Sequence, residues 1–361
     1  MHRVQRRDRL RKEREFVRDR FNALSAHFAN GCDIDPAHIT PRLECIKAET
    51  WQSDLFRLAT LSWSVPVSAG FGRRLRYLVW DDYNDKLIGV IALGDPVFNL
   101  RARDEHVGWS ATDRAKRLTS VMDAYVLGAL PPYNRLLGGK LVSCLVRTRQ
   151  VRDEFAAKYA ETRGIISKQK KKPQLVMVTT SSALGRSSIY NRLKLDGLEY
   201  FSSIGFTSGW GHFHVPDALF ASLRSYLRDV DHRYVDGHRF GDGPNWRLRT
   251  IRAAFEALGL DPDILRHGVK REVFACNFAK NASRVLRGQV TKAVYHRLKE
   301  VEEVGALARE RWIIPRAARG AEYRAWTVAD FERLLSLRSE CLRDNTGEPA
   351  TSPALRVCTT Q

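Results

Sequence analysis

An α+β fold is predicted from three observations on this 361-residue sequence: a mixed sheet flanked by helices, a basic helix ahead of it and a helical extension behind. Two β-rich runs, RRLRYLVWD (73–81) and KLIGVIALG (86–94), flank a polar DYND turn and read as a hairpin. An apolar run from Val121 stops at Pro131-Pro132 and passes Gly138-Gly139. It then becomes a helical pattern of Leu141, Leu145, Val151, Phe155 and Tyr159 that ends near Gly164. Helical stripes dominate both ends of the chain. A hydrophobic fraction of 43% with eight Trp can fill a core of this size.

Taken in order, residues 1–38 form a basic segment. Arg3, Arg6, Arg7, Arg9, Arg11, Lys12, Arg14, Arg18 and Arg20 precede or flank an apolar stripe of Phe16, Val17, Phe21, Leu24 and Phe28, which predicts a helix that docks late in its length. The α+β core spans 39–233. ITPRLECI gives a strand, residues 49–63 a helix, and 95–110 a turn-rich charged segment. DRAKRLTSV makes a short helix before the central strand, and SKQKKKPQ (167–174) is a basic loop. LVMVTT (175–180) reads as a buried strand, SSALGRSS as a turn into a helix SIYNRLKL (188–195), and 197–216 as two short strands. Pro216 suits the first turn of a helix over 216–230. Residues 234–325 read as a mostly helical extension carrying Lys280, Arg284, Arg287, Lys292, Arg297 and Lys299. Residues 326–361 give a helix capped by Thr327 and Asp330, followed by a disordered tail.

The formal charge of +19 raises the expectation of a polyanionic partner, nucleic acid first among them. Arg3, Arg7 and Arg11 on the first helix and Lys170, Lys171 and Lys172 in the basic loop are the candidate phosphate contacts. Trp246 can stack a base while Arg247 holds phosphate, or pack in the core. The six cysteines are scattered without a CxxC pair, so neither a disulfide framework nor a zinc site is expected, and His212 with His214 lacks a third metal ligand. No apolar run approaches a membrane span. Cytoplasm is the expected compartment.

Three blocks can carry chemistry. Gly138 and Gly139 let backbone N–H groups approach a ligand, and Lys140 adds charge, which makes a seat for phosphate or pyrophosphate; the same glycines equally serve a strand-to-helix turn. In the SSALGRSS block Arg186 suits phosphate, and Ser187 adds a hydroxyl or caps the following helix, from which Tyr190 can reach the same cleft. RARDEHVGW offers Asp104 and Glu105 as acid/base candidates, or Arg103 and Asp104 as an ion pair that fixes a loop.

The order of hairpin, strand, RLLGG turn, helix, strand and GF-containing hairpin resembles the GNAT acyltransferase fold, whose Q/RxxGxG/A loop cradles coenzyme A. Arg135 and Gly138 match its first and fourth positions, Lys140 stands where Gly or Ala is usual, and Phe201 stands where the family often has a Tyr. This resemblance implies a cleft for coenzyme A or another nucleotide and, as one alternative, acetyl transfer. A closer resemblance spans roughly 70–290. GDPVFNLRARDEHVGW, LGALPPYNRLLGGKLV, TTSSALGRSSIYNRL, GFTSGWGHFHVP, GPNWRLR and LRHGVKREVF are similar to blocks of the DruA-like family of Druantia anti-phage systems. It implies a defence role beside a helicase-like protein, with no established reaction. A non-catalytic scaffold is the remaining alternative.

Overall fold

The computed structural model describes residues 2–67, 72–159, 162–163, 170–171, 173–209, 211–232 and 246–336. The helices α1 (Arg3–Lys12) and α2 (Arg14–Leu24) lead to β1 (Pro41–Cys45), α3 (Trp51–Thr60) and the hairpin β2 (Arg74–Asp81) with β3 (Lys86–Gly94). Then come α4 (Arg101–Val107), α5 (Ala111–Arg117), β4 (Val121–Ala129), α6 (Gly138–Leu145), α7 (Arg149–Tyr159), β5 (Met177–Ser181) and β6 (Ser202–Phe206). The helices α8 (Asp217–Asp229) and α9 (Trp246–Ala257) precede β7 (Glu272–Asn277). After it follow α10 (Ala282–Leu286), α11 (Val301–Ala308), α12 (Ile314–Ala317) and α13 (Val328–Leu335).

Seven strands form one mixed sheet in the order β1-β2-β3-β4-β5-β7-β6. Every neighbouring pair is antiparallel except β4 with β5. Both faces of its first half are buried, which explains why β3 reads as an almost unbroken apolar run. Tyr77, Val79, Ile91 and Leu93 face α6, α7 and α11 in one core, whereas Leu78, Trp80, Val90 and Ala92 face α1–α3 and α13 in another. The β2–β3 register shifts after Val79↔Gly89 to Trp80↔Leu87, leaving Ile88 as the extra residue of a bulge. Gly89 is needed for a different reason: a Cβ there would stand 2.4 Å from the carbonyl oxygen of Gly128 on β4.

The capping box at Thr327 forms as the sequence predicts, with the Asp330 amide donating to Thr327 Oγ1 at 3.2 Å and the Thr327 amide to Asp330 Oδ2 at 2.8 Å. Four expectations differ. The long helix after Gly138 is two helices, because Thr148 Oγ1 turns back to the Leu145 carbonyl at 2.9 Å and Arg147 reaches across to other strands and loops. Residues 188–195 are not a helix but turns over 188–192 and a two-residue strand, Lys194–Leu195, paired with Leu198–Glu199: Ser187 Oγ accepts from the Ile189 and Tyr190 amides, and Arg192 adopts φ 58°. The turn-rich segment 95–110 contains α4. The region 234–325, read as mostly helical, supplies β7 to the interior of the sheet. The predicted tail, the last part of the helix before it and the Gly164 helix end lie outside the described residues. No helix among the described residues is long and apolar enough to cross a membrane.

Candidate functional site

The parallel β4–β5 ladder runs from Val121↔Met177 to Asp123↔Thr179 and stops there. Thr180 Oγ1 makes one further link, donating to the Ala124 carbonyl at 2.9 Å. Past this point the side chains of the 187–201 segment take over. Tyr190 packs on Phe201 and Phe274, with ring centroids 5.2 and 5.3 Å away.

Asp123 sits at the last paired position, and Thr179 Oγ1 donates to its carboxylate at 2.8 Å. Burial pushes its pKa up to about 6, against the opposing pull of the Thr179 hydrogen bond and the Arg103 charge. Burial likewise raises the Tyr190 phenol to about 12, with Thr180 opposing and the Asp123 charge adding to the rise. Arg103 is fully buried. Its Nε and Nη2 donate to Asp104 Oδ1 at 2.9 and 2.7 Å, and Nη1 and Nη2 to the carbonyls of Val97 and Phe98, both at 2.8 Å. Burial lowers its pKa while Asp104 pushes it back up. Arg114 Nη1 takes the other Asp104 oxygen at 2.6 Å.

Residues of two predicted blocks act electrostatically with Asp123, a lone acid of β4. Tyr190 comes from one and Arg103 from the other: the Arg103 charge lowers the Asp123 pKa, and the Asp123 charge raises that of Tyr190. The signal was present in the sequence: a lone acid inside the apolar strand VMDAYV. Asp104 spends both oxygens on guanidinium groups. Glu105 is exposed on the other side of α4 and pairs with Arg101 at 2.7 Å.

The glycine turn adjoins the same region. Ile189 lies over Gly139, its Cδ1 3.3 Å from where a Cβ would stand, and a Cβ on Gly138 would meet the Tyr133 carbonyl at 2.6 Å. Arg135 Nη1 donates to the Glu322 carbonyl at 2.7 Å and its guanidinium stacks 5.4 Å over Trp326, while the Lys140 ammonium sits 5.6 Å over Trp312. These cations face the C-terminal helices. Arg186 is exposed, and Ser187 caps its own turn.

The predicted nucleic-acid contacts are dispersed. On α1, Arg3 is exposed, Arg7 is half-buried, and Arg11 lies 3.5 Å from Asp8. Arg9 pairs with Glu13 at 2.8 Å and Lys12 with Asp217 at 2.5 Å. Arg247 meets the same Asp217 at 2.6 Å and stacks 4.3 Å over Phe220, and Trp246 is 44% exposed with its edge to that ring. Lys170 and Lys171 form a two-residue ladder with Thr162 and Arg163, and Lys172 lies outside the described residues. Among the described residues no three His, Cys, Asp or Glu are grouped to hold a metal ion.

A pH dependence follows from Asp123. Its folded-state pKa is raised, so the folded protein holds this proton more tightly than the unfolded chain does. The group favours folding below about 6, and that contribution is lost as pH rises through about 6. Asp123→Asn is expected to raise stability at neutral pH by about 1–2 kcal/mol, discounted for partial exposure, and to change nothing below the ordinary carboxylate range. Urea denaturation of both forms across this window checks it.

The family model described as "Druantia protein DruA" matches residues 1–288. The Druantia protein DruA of Escherichia coli (strain UMEA 4076-1) is 53% identical over 336 residues, which cover 93% of this chain and 83% of that one. No solved structure matches.

Proposed function

The chain belongs to the DruA family of Druantia anti-phage systems, and from that premise we propose that it is the subunit that engages nucleic acid within such a system. The formal charge of +19 carries this reading, since an excess of this size on a folded domain favours a polyanion over a neutral partner. The helicase-like protein encoded by such systems is the expected companion, and the cytoplasm the expected compartment. Low-salt anisotropy with labelled DNA and RNA tests the reading: retention of at least one is expected, and no retention of either overturns it.

A second reading keeps a GNAT-like cleft for a phosphate-containing ligand such as coenzyme A or a nucleotide, with acetyl transfer as its catalytic form. The unit of β4, a glycine turn, α6–α7 and a parallel β5 supports it. Ligand entry beside Gly139 would require Ile189 to move. Calorimetry with coenzyme A, acetyl-CoA and nucleotides separates this from a scaffold: a binding isotherm with any of them favours the cleft, and a blank panel favours the scaffold.

A further inference from the structure

We propose that the surface where α5 meets α10 grips the phosphate backbone of a nucleic-acid duplex without reading its sequence. The inference rests on the nucleic-acid reading above and assigns that contact to a place. Between Glu272 and Glu300 the sequence holds no acidic residue. Of the cations in that interval, Lys280, Arg284 and Lys292 are exposed, and among the described residues no carboxylate lies within ion-pair distance of them. This contrasts with α1, where Arg9, Arg11 and Lys12 each have an acidic partner.

Two more guanidinium groups are held in place beside them. Arg287 Nε donates to the Val107 carbonyl at 2.5 Å, and its side chain lies against Gly108. The Arg117 guanidinium occupies the space next to Gly288, where a Cβ would fall 1.7 Å from Nη2, and Arg117 Nε is buried with no acceptor among the described residues. Gly288 is required twice over. It adopts φ 73° to close α10, with its amide donating to Val285 and that of Gln289 to Arg284, both at 2.9 Å. It also leaves room for Arg117.

The platform beneath is fixed. Trp109 Nε1 donates to the Leu286 carbonyl at 2.6 Å, and Ala282, Val285 and Leu286 bury against Val107 and Val121. Cations pre-positioned on a packed support lose little entropy on meeting phosphates. The one acid on α5, Asp113, holds the Ser110 capping box, and its charge also acts on Lys116 and Arg117. Neither α5 nor the run 280–294 contains an aromatic residue, so the surface lacks the stacking platform that single strands use. Its one large exposed hydrophobic among the described residues is Val294, too little for an apolar face that enters a lipid interface.

The test is fluorescence anisotropy of the full chain with a labelled duplex of about 30 base pairs, as DNA and as RNA. K280E/R284E/K292E is expected to weaken binding at least about tenfold and to reduce the salt slope by about three. K280Q/R284Q/K292Q, with its thermal midpoint checked, should weaken binding in the same direction. R9Q/K12Q on α1, whose cations already pair with Glu13 and Asp217, should stay within about threefold of wild type. If wild type binds a duplex and the α10 variants bind equally well, or if the α1 variant loses as much, the assignment to this surface is overturned while the nucleic-acid reading stands. If wild type binds no nucleic acid at low salt, both fall. Preference for a single strand, or loss of binding only to anionic vesicles, overturns the choice of a duplex.

Discussion

Arg103→Ala is expected to destabilise the protein by about 3–5 kcal/mol, because it breaks a buried ion pair by removing one partner. The guanidinium is fully buried and places four hydrogen bonds, two on Asp104 and one each on the Val97 and Phe98 carbonyls. It also lies 5.5 Å over the Trp109 ring. Alanine leaves Asp104 with Arg114 as its remaining side-chain cation and removes the donor from the Val97 and Phe98 carbonyls. Arg103→Lys should recover only part of the loss, since an ammonium cannot span the same acceptors in one plane. Denaturant unfolding reads the difference directly. A loss under about 1 kcal/mol would show that the anchoring of Asp104 and the 97–98 loop by Arg103 carries no weight.

Phe274→Ala is expected to cost a similar amount, about 3–5 kcal/mol, for a different reason. Phe274 is 1% exposed on an interior strand, opposite Thr180 on β5 and Ser203 on β6, and it packs against Tyr190. Its removal leaves a cavity where the parallel ladder ends, with strands on both sides that cannot collapse into it. Phe274→Leu keeps most of the volume and should cost less than about 1.5 kcal/mol. Equal losses from the two variants would mean that the region does not close around this ring.

Much of the frame was legible because the periodicities were strong. The β2–β3 hairpin, the central strand, the glycine turn and the capped α13 all follow from alternation, punctuation or caps. The interior strand β7 was not, since VFAC is a short apolar run that fits a buried strand or a helix segment alike. The segment 188–195 misled for a related reason: Ile189, Tyr190, Leu193 and Leu195 are apolar at spacings a helix tolerates, yet Ser187 and the positive φ at Arg192 turn the chain instead.

At the site, residue chemistry was easier to read than partnership. RARDEHVGW was visible as a charged block, but that Asp104 would spend its second oxygen on Arg114, ten residues on, depends on how α4 and α5 pack. Asp123 is legible as an oddity, a lone acid in an apolar strand, but its burial against Thr179 depends on the β4–β5 pairing. The cations near α10 were equally visible as letters. The distance of Lys280, Arg284 and Lys292 from the carboxylates of the described residues, and the seating of Arg117 beside Gly288, exist only in the folded arrangement.

The most direct measurement is the salt dependence of duplex binding by the unmodified chain, taken between about 50 and 200 mM monovalent salt. With four to six phosphates neutralised, affinity should fall about 150-fold to about 1,800-fold across that range, along a straight line in log–log coordinates. A flat line, or no binding at its low-salt end, would contradict nucleic-acid engagement through these cations.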